Sequence, residues 1–230
     1  MTLAELKQVI RAMVPSANKA KVSDTFLDTL VNKAVTRVNS DGKVLRTEKY
    51  FDVNEGQRTY DLATLLTDYV LIGEGGLWLN KGTEASPNYQ QLDAVDRNYL
   101  NRWFPGWVNL GNGNPNRYIV ETNKIHLDQK ASTTLTNGLW LPDYVKKPTP
   151  MTDDSHYPFS GSETEYAFLE PLDDVIIAYV RWILKHSVGT DEKGIMTQQE
   201  YEIQLRVQMK MVKRRPDYKS NTTNYRWRGR

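Results

Sequence analysis

The residues of this chain that could carry chemistry are three histidines, two adjacent carboxylate pairs, a glycine-asparagine loop, a serine-glycine-serine stretch and a set of tryptophans. A metal site needs ligands at helical or hairpin spacing. His126, His156 and His186 stand at neither from one another, and no cysteine joins them. Asp153-Asp154 and Asp173-Asp174 are sequence neighbours, so on a helix or strand their side chains diverge and neither pair makes a ready acid and base couple. Asp173 and Asp174 suit a first helical turn, where carboxylates complement the dipole. Gly111-Asn112-Gly113-Asn114-Pro115 lacks the Lys-Ser/Thr pair of a phosphate loop, with no convincing strand before it or helix after it. No strand leads into Ser160-Gly161-Ser162, as a nucleophile elbow requires. The expectation is a protein with no catalytic, cofactor-binding or metal-ligating residues, and not an enzyme.

What remains is binding chemistry. Trp78 and Trp140 alternate with other residues inside strand-like runs and read as core, whereas Trp103 and Trp107, around Pro105-Gly106, read as interface residues. The end of the chain carries Tyr218, Lys219, Tyr225, Arg226, Trp227, Arg228 and Arg230 with no helical or strand period. A segment that cannot bury a core of its own orders on a partner. From Arg206 onward the cations face only Asp217, so the body before that point is net acidic although the whole chain is +2. An acidic body with a basic, aromatic arm implies an anionic or acidic-lined partner for the arm.

At 230 residues and 39% hydrophobic content the chain can build one sizeable domain or two small ones. No run approaches the ~20 apolar residues of a membrane span, and the first residues lack a secretory pattern. The absence of cysteine removes disulfides and thiolate sites and fits a reducing compartment. Synthesis in the cytoplasm and no membrane partner are expected.

Four amphipathic helices must position these groups. Thr2 to Met13 opens on a Thr2/Glu5 capping box, and Ser23 or Asp24 caps a helix to about Asn39 with Asp41-Gly42 closing it. Pro171 to Val188 carries one apolar stripe, and a helix capped at Thr197, with Glu200 three residues on, buries Tyr201, Leu205, Met209 and Val212 before Pro216 stops it. Between these pairs the period changes to short strands. Tyr50 to Val53 and Arg58 to Leu62 flank Asn54-Glu55-Gly56 as a hairpin, Arg117 to Val120 and Lys124 to Leu127 flank Thr122-Asn123, and Tyr69 to Ile72, Leu77 to Leu79 and Gly138 to Val145 complete the set. Asp96 to Trp103 reads as a short crossing helix, and 111–116 and 146–165 as long loops. The predicted fold is α+β: a helical bundle from both chain ends (1–46 and 168–215), an inserted small antiparallel β-sandwich or barrel with long loops (47–167), and an extended C-terminal arm (216–230).

This order of parts resembles a head-to-tail adaptor, or connector, of tailed bacteriophages. The likeness lies in Phe26-Leu27-Asp28-Thr29-Leu30-Val31-Asn32-Lys33-Ala34, Tyr50-Phe51-Asp52-Val53, Gly56-Gln57-Arg58-Thr59-Tyr60-Asp61-Leu62, Asn114 to Val120, Lys124-Ile125-His126-Leu127, and Tyr179-Val180-Arg181-Trp182-Ile183. The resemblance implies a virion protein that forms a ring, commonly a dodecamer, beneath the portal protein. It implies contacts with neighbouring adaptor copies, with a tail or nozzle protein, and with packaged DNA passing through the channel. Carried over, the arm docks on the portal through Tyr218, Lys219, Tyr225, Arg226, Trp227, Arg228 and Arg230, and Trp103 and Trp107 become a tail-side interface. Two other readings stay open: a nucleic-acid-binding protein that uses the same arm on phosphates and bases, and a carbohydrate-binding β module, which would need several tryptophans on one exposed face.

Overall fold

The computed structural model describes residues 1–14, 21–161, 163–188 and 198–214; side chains 185–188 and 213–214 are outside the description. Seven α-helices and three open sheets, most of their pairings antiparallel, make a mixed α+β fold among these residues. No described helix is long and apolar enough to cross a membrane. The chain divides into two compact units: Arg46–Lys146, and Met1–Leu45 with 147–214 of the described residues.

The helical unit begins with α1 (Leu3–Met13) and α2 (Asp24–Gly42). Thr2 and Glu5 close the expected capping box, Thr2 Oγ1 accepting from the Glu5 amide and Glu5 Oε2 from the Thr2 amide. The Ser23 hydroxyl caps α2 at the Phe26 amide. The helix runs past the expected stop, through Gly42, and it is Lys43 that takes the left-handed conformation (φ 51°). Gly42 serves a close approach instead, since a Cβ there would lie 2.9 Å from Met209 Sδ. Asn39, wholly buried, accepts from the Leu45 amide through its side chain and from the Val44 amide through its carbonyl, which satisfies the helix end.

A short α5 (Glu163–Tyr166) and a 3-10 turn (Glu170–Leu172) lead into α6 (Asp173–Val188), and α7 (Gln198–Arg214) follows. Pro171 therefore sits in the turn ahead of the helix. Thr197, the expected N-cap of α7, lies outside the described residues. Val175, Ile176, Ile177, Ala178 and Val180 are all buried, so α6 is apolar on several sides and packs against α1, α2 and α7.

Segment 147–161, expected as a loop of the β insertion, belongs to this unit. The reason is that its apolar side chains enter the helical core: Met151 and the wholly buried Phe159 stand among Leu6, Leu27, Val31 and Ile176. Asn32 on α2 clamps it, donating to the Met151 carbonyl (3.0 Å) and accepting from the Met151 amide (2.8 Å). The loop in turn satisfies first-turn donors of α1, with Leu3 N–H on His156 O and Ala4 N–H on Asp154 O. Lys7 bridges Asp28 and Asp154.

In the second unit, β1 (Arg46–Val53), β3 (Tyr69–Ile72), β4 (Trp78–Asn80), β5 (Tyr89–Gln91) and β11 (Leu135–Lys146) form one sheet, with β11 as the spine that pairs β1, β3 and β4. A second sheet orders β2 (Thr59–Asp61), which runs into the one-turn α3 (Leu62–Leu65), then β9 (Lys124–Leu127), β8 (Arg117–Glu121) and β6 (Asp93–Ala94). β7 (Asn112–Gly113) pairs β10 (Lys130–Ala131), in parallel, as β6 pairs β8. The expected hairpin of β1 with β2 does not form. Gly56 makes its turn (φ 75°), but the turn hands the chain from one sheet to the other, because β1 pairs β11 and β2 pairs β9. The β8–β9 hairpin does form, with Thr122 and Asn123 both at positive φ as such a turn needs. Inward residues of both larger sheets, among them Phe51, Leu79, Leu139, Leu141, Ile125 and Leu127, share one core, and neither sheet closes into a barrel.

Candidate interaction surfaces

Of the titratable residues singled out by type, His126, His156, Asp153, Asp154 and Asp173 have partners within the fold. His126 Nδ1 lies 3.0 Å from Thr59 Oγ1 across the β2–β9 pair, and burial, then the nearby Arg97 charge, holds its pKa below the usual histidine range. The His156 ring accepts from the Thr152 amide, and the His186 side chain is outside the description. No group of three or more metal-ligating side chains occurs among the described residues. The Asp153 carboxylate is held low by the Ser155 hydroxyl and amide, while Asp154 belongs to the Lys7 bridge. Asp173 is buried: the Met1 ammonium stands 2.7 Å from its Oδ2, the Tyr166 hydroxyl donates to the same oxygen, and burial raises its pKa to about 6. Asp174 beside it is exposed. Asn112 and Gly113 are strand residues, which accounts for the glycine-asparagine loop in structural terms.

The arm residues Tyr218, Lys219, Tyr225, Arg226, Trp227, Arg228 and Arg230 lie outside the described residues. The other predicted pair separates. Trp107, in a 3-10 turn (Trp107–Asn109), is buried against Leu100 and Ile119, and its indole N–H donates to Asn101 Oδ1 at 2.9 Å. The guanidinium carbons of Arg58 and Arg97 each lie 5.7 Å from its ring centroid. Trp107 is thus a core residue of the β unit, not a surface one. Trp103 is 60% exposed, with Arg102 stacked on it.

Together these contacts build a surface. The Asp96 carboxylate caps α4 (Arg97–Trp103) at the Tyr99 amide, Arg97 makes a two-pronged bond to Glu121 on β8, and Arg58 donates to the Val108 and Leu110 carbonyls. Held this way, α4 and the following turn present Tyr99, Trp103, Phe104, Val108 and Leu110 to solvent, with Val120 also exposed on β8. Arg117 lies 4.1 Å from the Phe104 centroid, and a cleft of about 890 Å³ opens between Tyr69, Ile72, Tyr99 and Val120.

Trp78 and Trp140, expected in the core, are on the outward side of the five-stranded sheet, because Leu77, Leu79, Leu139 and Leu141 take the inward positions of the two-residue alternation. There they join Tyr50 and Tyr89 in a cluster with centroids 5.7 to 6.0 Å apart. Tyr50 and Trp140 are within 7° of parallel, so these rings cover one another, and the indole nitrogens are bonded to Glu48 and the Gly75 carbonyl.

A family model described as SU10 adaptor protein matches residues 1–226. Among curated proteins, none matches the chain.

Proposed function

Because the chain belongs to the SU10 adaptor protein family, and is therefore a phage adaptor and a structural protein, we propose that it serves without enzymatic activity as a head-to-tail connector of the virion. In this reading copies form a ring, a dodecamer in the virion, that docks on the portal protein, receives a tail or nozzle protein on the other side and leaves a channel for packaged DNA. The observation that carries it is the match over residues 1–226, which takes in the helical unit, the β unit and the arm as far as Arg226. The body's net acidity and the basic, aromatic sequence of 216–230 support assigning that segment to the portal, with Tyr225, Arg226, Trp227 and Arg228 as anchors. Many copies then add avidity to modest single contacts. The exposed α4 face, with Trp103 at its centre, is assigned to the tail side.

Co-sedimentation tests this assignment. Full-length chain and a chain ending at Arg215 are mixed with portal oligomers, and separately with duplex and single-stranded DNA, at low and high salt. The expected result is salt-resistant portal binding that requires the arm. Undiminished binding by the shortened chain removes the arm from the portal contact, and binding to DNA alone, lost in salt, overturns the connector assignment.

A further inference from the structure

Helix α7 is apolar on two opposite faces. Tyr201, Leu205, Met209 and Val212 are buried in the helical core, while Ile203, Val207 and Met211, spaced by four, are 59%, 50% and 52% exposed. A surface helix ordinarily pairs its one apolar stripe with a polar back. Here the back is a second stripe about 12 Å long, eight steps of about 1.5 Å each, with exposed Arg206 and Lys210 along one side and exposed Glu200 and Glu202 near its N-terminal end.

The same unit offers a surface of opposite character. In the segment from α5 to the start of α6, Phe168 is 38% exposed, and Glu163, Glu165, Glu170 and Asp174 are exposed around it in sequence. One surface is an apolar stripe with two cations, Arg206 and Lys210, beside its middle and its C-terminal half; the other is an exposed phenyl ring in a stretch of sequence whose exposed charges are all carboxylates. We propose that the outer face of α7 of one copy seats on the Glu163–Asp174 segment of a second copy of this chain, Phe168 against Val207 and the carboxylates toward Arg206 and Lys210.

Because the two patches differ, the contact is heterologous: each copy offers α7 to one neighbour and the Glu163–Asp174 segment to another, and the chain of contacts closes into a ring if the rotation allows. This deepens the connector reading and rests on it. With three exposed apolar side chains on one patch and one on the other, the contact is small beside the roughly 800 Å² per partner of a stable dimer, so free copies associate weakly and assembly rises with concentration.

Full-length chains labelled with ¹⁴N and ¹⁵N are mixed and treated with a carbodiimide, which joins a lysine amine to a carboxylate in contact with it. The expected product links Lys210 to Glu163, Glu165, Glu170 or Asp174 in mixed-isotope peptides, with a yield that rises with protein concentration. Val207→Glu, at an exposed position that leaves the fold intact by circular dichroism, lowers that yield about tenfold. Arg206→Glu with Lys210→Glu abolishes association in sedimentation velocity, and mixing with copies carrying Glu163→Lys and Glu170→Lys restores it. Links only within single copies, an unchanged yield in Val207→Glu, or no restoration by the charge exchange each overturn the pairing. Portal co-sedimentation separates the two readings: its loss with intact links counts against the connector alone, and its persistence without links counts against this contact alone.

Discussion

At the residue scale the buried carboxylate of Asp173 sets the clearest dependence on pH. Burial raises its pKa from 3.8 to about 6 against the lowering effect of the Met1 ammonium and the Tyr166 hydroxyl. A group whose folded pKa lies above its unfolded value binds its proton more tightly when folded. The associated stability is therefore full below about pH 4 and is lost as the pH rises through about 6. Two pKa units correspond to about 3 kcal/mol. Asp173→Asn keeps the shape and cannot ionise, so its stability is expected to lack this fall. Urea titrations of both proteins at pH 4, 5, 6 and 7 measure it. Parallel curves would show that the ammonium and phenol fully compensate the ionised form.

At the element scale the loop 147–161 behaves as a structural element because two side chains hold it, Phe159 from inside the core and Asn32 from α2. Asn32→Ala removes both bonds to the Met151 backbone and is expected to cost about 1–3 kcal/mol. In hydrogen exchange the Met151 amide should then exchange faster, with the α2 core positions Leu30 to Val38 unchanged; equal protection would assign the clamp to Phe159 alone. Nothing local announces this pinning, because a polar stretch with three prolines reads as a loop whatever it touches. Helices were legible for the opposite reason: the Thr2/Glu5 box, the Ser23 cap and the inner stripe of α7 are short-range patterns. The Thr122-Asn123 hairpin was legible too, since its register is set by its own turn. The partner of β1 was not, because β11 lies more than eighty residues away and only the shared core selects it. Alternation around Trp78 and Trp140 was visible, yet parity alone does not say which set of residues faces inward. Ile203, Val207 and Met211 were equally visible, but a helix that already has one apolar stripe gives no local reason to look for another.

At the scale of the whole molecule the two units each own a core, and the strand pairing shows how one is inserted in the other. Arg46, the first residue of the β unit, is paired with Val145, one residue from its last, so the unit leaves the helical chain and returns to it at neighbouring points. An insertion whose ends meet costs little loop entropy on either side when it is cut out. Residues 46–146 made alone are therefore expected to fold with a single cooperative denaturation, since β1, β11 and the core from Phe51 to Tyr144 are all internal to the piece. The complementary chain, with a few glycine and serine residues joining Leu45 to Lys147, should also fold, because every core contact of its helices is retained. Far-ultraviolet circular dichroism and chemical denaturation of the two pieces decide the matter. If the excised unit is unfolded while the helical chain is folded, the β unit depends on the helical frame for its stability. Two folded pieces would then allow portal binding to be tested on the helical chain alone. Retention of that binding would place the head-side contact in the helical unit and its tail, leaving the α4 face free for the other side of the connector.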